Sequence, residues 1–97
     1  MAGPEARLRT RIVKALNAYG GFWYVNHQTQ YGQSGIPDIT GIYQGFYFGL
    51  EVKRPGKEYT LTERQARVLK IIRKAGGKAT VITSVDDAMN FVFGSPP

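Results

Sequence analysis

The central stretch of the chain, residues 35–53, reads GIPDITGIYQGFYFGLEVK. β-Branched and aromatic residues dominate it on both sides of Gln44-Gly45, a dipeptide that suits a tight turn. We therefore predict a β-hairpin whose strands run from 38 to 43 and from 46 to 53. A two-residue turn fixes the register of a hairpin, so it also fixes which side chains meet across the two strands.

This register brings two carboxylates together. Counting outward from the turn places Asp38 opposite Glu51, and directly opposed residues share a face with Cβ atoms about 4.5–5.5 Å apart. The two carboxylates would repel each other, and a divalent cation such as Mg²⁺ would turn that repulsion into affinity. Lys53 shares the face through the strand period of two and can hold a water molecule there. The alternative is an exposed Asp38 at a strand start and a solvated strand end at Glu51 and Lys53.

The remaining elements continue outward from the hairpin. The opposite face of the hairpin collects a predicted core surface of Ile39, Tyr43, Phe46, Phe48, Leu50 and Val52. Periodicity and Gly or Pro boundaries predict helices over 4–19, 62–75 and 86–93 and strands over 22–25 and 79–83. The order is α-β-β-β-α-β-α, which indicates an α/β fold (a mixed α+β sheet). We expect a single domain over residues 1–97 with a frayed tail at 94–97.

The composition and net charge indicate what kind of protein this is and what kind of partner it binds. The chain has 97 residues, 42% of them hydrophobic, and carries 13 Lys+Arg against 7 Asp+Glu for a net charge of +6. These values are typical of one small globular domain with a polyanionic partner. The absence of cysteine excludes a disulfide scaffold, a zinc–thiolate site and a thiol nucleophile. The sequence has no signal peptide pattern and no membrane-spanning stretch, so we expect an intracellular protein with no membrane partner.

Each long predicted helix carries one polar residue on its apolar side. Glu5 projects among Leu8 and Ile12 on the first helix, although a first-turn Glu can equally serve the helix dipole. Gln65 projects between Leu69 and Ile72 on the second helix, where Thr62 to Gln65 also fits a capping box. For Gln65, the capping and functional interpretations carry similar weight.

Basic side chains lie on the outer faces of the helices and beside the hairpin. A row on the second helix can face phosphate or only solvate the helix. The candidate DNA-binding residues are Arg7, Arg11, Lys14, Arg54, Lys57, Arg67, Lys70 and Lys74. His27, Gln28 and Tyr31 belong to a polar loop that can touch a nucleic acid strand or simply be an ordinary surface loop.

Taken together, Gly35-Ile36-Pro37-Asp38, Glu51-Val52-Lys53 and the helix opening at Thr62 to Gln65 resemble the signature of the PD-(D/E)XK nucleases. The sequence is most similar to the virus-type replication-repair nuclease (VRR-NUC) domain, from Glu5 to about Val92. The resemblance implies an Mg²⁺- or Mn²⁺-dependent DNA phosphodiesterase in which Asp38, Glu51 and the main-chain carbonyl of Val52 ligate the metal.

The resemblance also implies roles for the other site residues. Lys53 positions or activates the attacking water, Glu5 supports the metal site, and Gln65 has a structural or substrate-orienting role. Stand-alone members resemble homodimeric resolvases of four-way (Holliday) junctions, often encoded by phages, so a virus-encoded protein acting in a host cell is one expectation. The alternatives are an exonuclease or flap nuclease of the same fold and a non-catalytic basic nucleic-acid-binding module.

Aromatic residues exceed what one thin sheet and three helices readily cover. We expect some of this surface to form an interface with a second copy of the chain. The residues concerned are Phe22, Trp23, Tyr24, Tyr47, Phe91 and Phe93.

Overall fold

The computed structural model describes residues 3–27 and 34–94. Within these ranges the chain forms three α-helices, four strands and one 3-10 turn. The elements are α1 (Pro4–Tyr19), β1 (Phe22–Val25), β2 (Ile39–Tyr43), β3 (Phe46–Val52), the 3-10 turn (Glu58–Thr60), α2 (Glu63–Lys74), β4 (Lys78–Ile82) and α3 (Val85–Phe93). This mixed α/β architecture confirms the predicted fold class. The 3-10 turn was not predicted, and residues 95–97 of the predicted tail lie outside the described residues.

The four strands form one mixed sheet in the order β1-β2-β3-β4. β1, β2 and β3 pair antiparallel, whereas β4 joins β3 in parallel. The predicted hairpin register is confirmed, because β2 and β3 pair from Tyr43↔Phe46 outward to Ile39↔Leu50. Gln44 and Gly45 both have positive φ, at 51° and 83°, as a type I′ turn requires. Asp38 and Glu51 are the next positions beyond the last pair.

One face of the sheet carries the main core. α1 and α3 pack against it and against each other. The buried apolar side chains of this layer are Leu8, Ile12, Leu16, Trp23, Ile39, Phe48, Leu50, Val52, Ile82, Ala88 and Val92. The predicted core face of the hairpin is therefore correct at most positions. Phe46 is the exception, since it is 48% exposed at the turn end with the Lys78 ammonium 4.8 Å from its ring centroid.

The opposite face is covered by α2 only at β3 and β4. Gly49 allows this close approach, because a Cβ there would lie 2.9 Å from Pro37 Cγ and 3.0 Å from Ile72 Cδ1. Leu69 is buried in this layer, whereas Ile71 is 58% exposed. The helix sits to one side because it packs mainly on β4.

The uncovered part of this face is an apolar patch across three strands. Phe22 lies opposite Ile42, and Ile42 lies opposite Tyr47. Tyr24 shares the face, with its ring centroid 5.9 Å from that of Phe22. All four side chains are between 41% and 67% exposed. We call Phe22, Tyr24, Ile42 and Tyr47 the apolar sheet patch.

The other aromatic residues expected at the surface lie elsewhere. Trp23 is buried, so its assignment to exposed aromatic surface was wrong. Strand alternation turns it to the core face, where it packs on Phe48 and donates its indole N–H to the carbonyl of Gly20. Phe91 and Phe93 lie on α3, on the far side of the sheet from the apolar sheet patch, and contact Phe48 and Tyr43.

At both edges of the sheet, helix side chains form hydrogen bonds with backbone groups that have no partner strand. The Asn17 amide of α1 bonds both backbone groups of Trp23, accepting from its N–H and donating to its carbonyl, each at 3.0 Å. Arg73 of α2 donates to the carbonyl of Ala79 in β4 at 2.8 Å. The outer edges are therefore blocked at these positions against pairing with another strand.

No helix in the described part of the chain is long and apolar enough to cross a bilayer.

Candidate active site

Asp38 is held rigidly at the mouth of the hairpin. Its Oδ2 accepts a hydrogen bond from the backbone N–H of Val52 at 2.9 Å. Its own carbonyl accepts from the backbone N–H of Asn26, at the end of β1, at 2.7 Å. The Asn26 side chain also donates to the Pro37 carbonyl at 2.7 Å and to Thr40 Oγ1 at 2.6 Å. These bonds fix the backbone on both sides of Asp38.

Glu51 is a buried carboxyl beside Asp38. It is 2% exposed, and its Oε1 accepts from Gln65 Nε2 at 3.1 Å. Its Oε2 is buried and has no hydrogen-bond partner among the described residues. Burial, followed by the neighbouring Asp38 charge, raises the pKa of Glu51 to about 8, while the positive charge of Lys53 acts in the opposite direction. The three residues therefore form one electrostatic unit, as the predicted shared face requires.

Gln65 forms the predicted helix cap and also contacts the buried Glu51 carboxyl. Its Oε1 accepts from the backbone N–H of Thr62 at 2.9 Å, and its own N–H donates to Thr62 Oγ1 at 3.1 Å. This is a complete capping box at the start of α2. The remaining amide group, Nε2, is the donor to Glu51. A single conformation of the Gln65 side chain therefore caps α2 and contacts Glu51 at the same time.

The donor chemistry at this site fits a small hard divalent cation. Two adjacent carboxyl groups, one with a buried oxygen that has no partner within residues 3–27 and 34–94, are the oxygen ligands that Mg²⁺ and Mn²⁺ prefer. The backbone N–H of Val52 donates to Asp38. The role of the Val52 carbonyl as a metal ligand remains a prediction from the resemblance.

Glu5 is not brought into this carboxylate pair. No three His, Cys, Asp or Glu side chains converge closely enough for a metal site within residues 3–27 and 34–94. Glu5 is half-buried in the first turn of α1. It lines a separate open cleft of about 390 Å³ together with Arg9 and Arg54. Its predicted place on the protein-facing side of α1 agrees with this position.

A second open cleft contains Asp38. It has a volume of about 470 Å³ and is lined by Ala6, Arg9, Thr10, Val25, Asn26, His27 and Asp38. Arg9 Nη1 lies 3.9 Å from Asp38 Oδ1 as a loose ion pair. His27 reaches this cleft, whereas Gln28 and Tyr31 of the predicted loop lie outside the described residues.

Sequence reasoning missed Asn26 and Arg9. Extending the β1–β2 register one step beyond Val25↔Ile39 places Asn26 opposite Asp38. Helical spacing places Arg9 one turn after Glu5, on the same side of α1. The strand register and the helical spacing can both be derived from the sequence. They point to Asn26 and Arg9 only once Asp38 and Glu51 are taken as the centre of a site.

The candidate DNA-binding residues form separate groups. Arg11 and Arg54 line one open cleft beside the start of α3, and Arg54 also borders the Glu5 cleft. Arg67 and Lys70 line another cleft on α2. Because α1 and α2 cover opposite faces of the sheet, the basic side chains of these two helices lie on opposite sides of the sheet. Exposed basic side chains of the predicted set also occur at Arg7, Lys14, Lys57 and Lys74.

Comparison of the sequence with protein-family models and with curated proteins gives no match, so the candidate site is supported by its own geometry.

Proposed function

We propose that the protein is an Mg²⁺- or Mn²⁺-dependent DNA endonuclease of the PD-(D/E)XK type, similar to VRR-NUC domains. The observation that carries this proposal is the buried Glu51 carboxyl beside Asp38, whose Oε2 has no hydrogen-bond partner in the part of the chain that the structure describes. Burying a carboxyl next to another carboxyl costs stability unless a proton or a cation compensates for it. A metal-dependent phosphodiesterase uses such a pair of carboxylates to hold its cation.

The roles of the residues follow from their positions. Asp38 and Glu51 would hold the divalent cation, which when bound lowers the pKa of water and neutralises phosphoryl oxygens. Lys53 supplies a fixed positive charge next to Glu51, which stabilises developing negative charge. Gln65 keeps Glu51 Oε1 occupied, so that Oε2 is the oxygen left for the cation.

We propose branched DNA, such as a four-way junction, as the substrate, and a homodimer as the active form. The basic surfaces favour phosphate contacts, which position DNA without reading its sequence. A junction presents two equivalent strands, and a twofold dimer presents two equivalent sites. The apolar sheet patch is the surface that we assign to the second copy, because it carries no charge to bind phosphate and the neighbouring edges are blocked by Asn17 and Arg73.

The two alternative functions predict different outcomes. An exonuclease or flap nuclease of the same fold would use the same carboxylates on DNA ends. A basic binding module explains the net charge of +6, but it gives no reason for a buried pair of carboxyl groups at the hairpin mouth. The carboxylate pair therefore favours an enzyme over a module.

The testing experiment is a cleavage panel of four-way, flap, nicked and linear DNA with Mg²⁺, Mn²⁺ or EDTA. We expect metal-dependent paired nicks in opposing strands of the junction. Asp38→Asn, Glu51→Gln and Lys53→Met should each lower the rate by about two orders of magnitude or more. Glu58→Gln is the matched control, since Glu58 is an exposed carboxyl that bonds only the Gly56 N–H among the described residues.

Calorimetry separates binding of the metal from cleavage. Mg²⁺ or Mn²⁺ binding should weaken in Asp38→Asn and Glu51→Gln and should persist in Lys53→Met. DNA binding without any metal-dependent cleavage would favour the basic module. Fragments that shorten progressively from one DNA end would instead indicate an exonuclease.

A further inference from the structure

Arg9 is a basic side chain of α1 that reaches Asp38 of the carboxylate pair. Its side chain is 27% exposed, and Nη1 lies 3.9 Å from Asp38 Oδ1. The other Asp38 oxygen is already bonded to the Val52 N–H. Arg9 therefore faces Oδ1, the Asp38 oxygen that does not accept from the Val52 N–H.

The contact is weak enough to be exchanged. Charge-assisted hydrogen bonds between a guanidinium and a carboxylate are about 2.7–2.9 Å long, so a 3.9 Å separation is an electrostatic attraction without a hydrogen bond. Arg9 also lines both the Asp38 cleft and the Glu5 cleft. The guanidinium lies at the boundary of two open spaces and can turn from one to the other without disturbing the core.

A divalent cation bound at Asp38 and Glu51 would share the negative charge of Asp38 with Arg9. Cation binding at Asp38 and Glu51 would place two positive groups side by side, and their repulsion would disfavour the present position of Arg9. A DNA phosphate entering the cleft offers a new partner, since the planar guanidinium matches phosphate oxygens in a bidentate manner.

We propose that Arg9 is a binding residue that couples the two ligands of the site: it pairs with Asp38 in the metal-free protein and with a DNA phosphate once the metal is bound. This inference rests on the proposed function. Because coupling between two ligands is reciprocal, the metal should increase DNA affinity by the same factor by which DNA increases metal affinity. The metal-free protein then binds DNA weakly at this site, and the complete site forms only with both ligands.

The test measures binding in a Lys53→Met background, which we expect to be unable to cleave while keeping both carboxylates. The affinity for a fluorescent four-way junction is measured in EDTA and in Mg²⁺ at constant ionic strength. We expect Mg²⁺ to tighten binding by about five- to one-hundredfold, the usual range of such coupling. Adding Arg9→Gln should reduce this factor to about twofold or less. Lys78→Gln is the matched control, because it removes one positive charge from an exposed position at the turn end of the sheet, outside the candidate DNA-binding set.

Calorimetry with Mg²⁺ alone gives the second readout. Arg9→Gln should bind the metal several-fold more tightly than the parent, because Asp38 loses a competing cation, whereas Lys78→Gln should bind it as the parent does. Arg9→Lys keeps the charge but loses the planar fork, so it should show intermediate coupling, and it replaces Arg9→Gln if that variant unfolds.

The outcomes distinguish the two proposals. If the parent binds no metal, the proposed function fails and the role of Arg9 fails with it. If the parent binds metal but Arg9→Gln behaves like Lys78→Gln in both measurements, only the role of Arg9 is overturned. A purely structural ion pair would lower the melting temperature of Arg9→Gln and leave the coupling factor unchanged.

Discussion

At the scale of single residues, Glu51 makes the stability of the protein depend on pH. Its pKa rises from an ordinary value of 4.5 to about 8, chiefly through burial. The folded protein therefore binds the Glu51 proton more tightly than the unfolded chain does, and this contribution to stability is lost as the pH rises from about 4.5 to about 8. A bound cation would replace the proton and restore stability at the upper end of this range.

We predict that the melting temperature in EDTA falls between pH 5 and pH 8.5, by an amount equivalent to about a few kcal/mol. Glu51→Gln keeps the shape of the side chain without the ionisation, so it should flatten this dependence and be more stable than the wild type at pH 8. Calorimetric melts at half-unit pH intervals test this, with Glu58→Gln as the exposed control. Parallel curves for the wild type and Glu51→Gln would refute the assignment.

Gln65 allows helix capping to be separated from the site. Thr62→Ala removes a capping oxygen and should cost about 1 kcal/mol. Gln65→Ala removes the other half of the box and also the donor to the buried Glu51 Oε1, so it should cost about 1–3 kcal/mol more. Denaturant unfolding and cleavage rates are measured for both variants. Only Gln65→Ala should slow cleavage, and equal cleavage rates would restrict Gln65 to a capping role.

At the scale of elements, the hairpin is the part of the fold that sequence predicts best. Its register depends on a two-residue turn and on alternation, which are both local properties. The turn itself is not optimal, because Gln44 adopts φ 51°, a left-handed conformation that favours Asn or Gly.

Gln44→Asn should therefore stabilise the protein by about 0.5 kcal/mol. Gln44→Val should destabilise it, since a β-branched side chain tolerates positive φ poorly. The side chain is exposed and lies at the opposite end of the hairpin from Asp38. Both variants should retain the metal affinity and the cleavage rate of the wild type. A change in either property would mean that the turn end of the sheet takes part in function.

Element ends and long-range contacts were less accessible from sequence. Thr62 was included in the second helix, whereas it is the N-cap outside it. Lys53 was included in its strand, and its N–H indeed bonds the Ile82 carbonyl, although the assigned strand ends at Val52. Which polar side chains support the site depends on how α1 and β1 pack around Asp38. Local patterns do not encode that packing, so Arg9 and Asn26 went unnoticed.

At the scale of the whole molecule, the covering of the sheet is unequal. α1 and α3 cover one face, while α2 leaves Phe22, Tyr24, Ile42 and Tyr47 exposed on the other. The site lies on this second face too, because Asp38 and Glu51 continue the register that carries Ile42 and Tyr47. A partner docked on the patch would thus approach the end of the sheet that carries the candidate site.

Ile42→Lys should convert the proposed dimer into a monomer, because it places a charge at the centre of the apolar sheet patch. Sedimentation at micromolar concentration tests this, with Tyr59→Lys as a control at a 75% exposed position outside the patch. The monomeric variant should still bind metal but should lose coordinated incision of both junction strands. A wild-type chain that sediments as a monomer would contradict the assembly directly.

The blocked sheet edges determine how far such an assembly can grow. Asn17 and Arg73 occupy backbone groups through which further strands would add, so strand-by-strand polymerisation finds no free end at these positions. A twofold contact through the patch uses the patch of both chains at once and leaves none for a third. The association would therefore stop at two chains. Raising the protein concentration would increase the fraction of dimer without producing fibres.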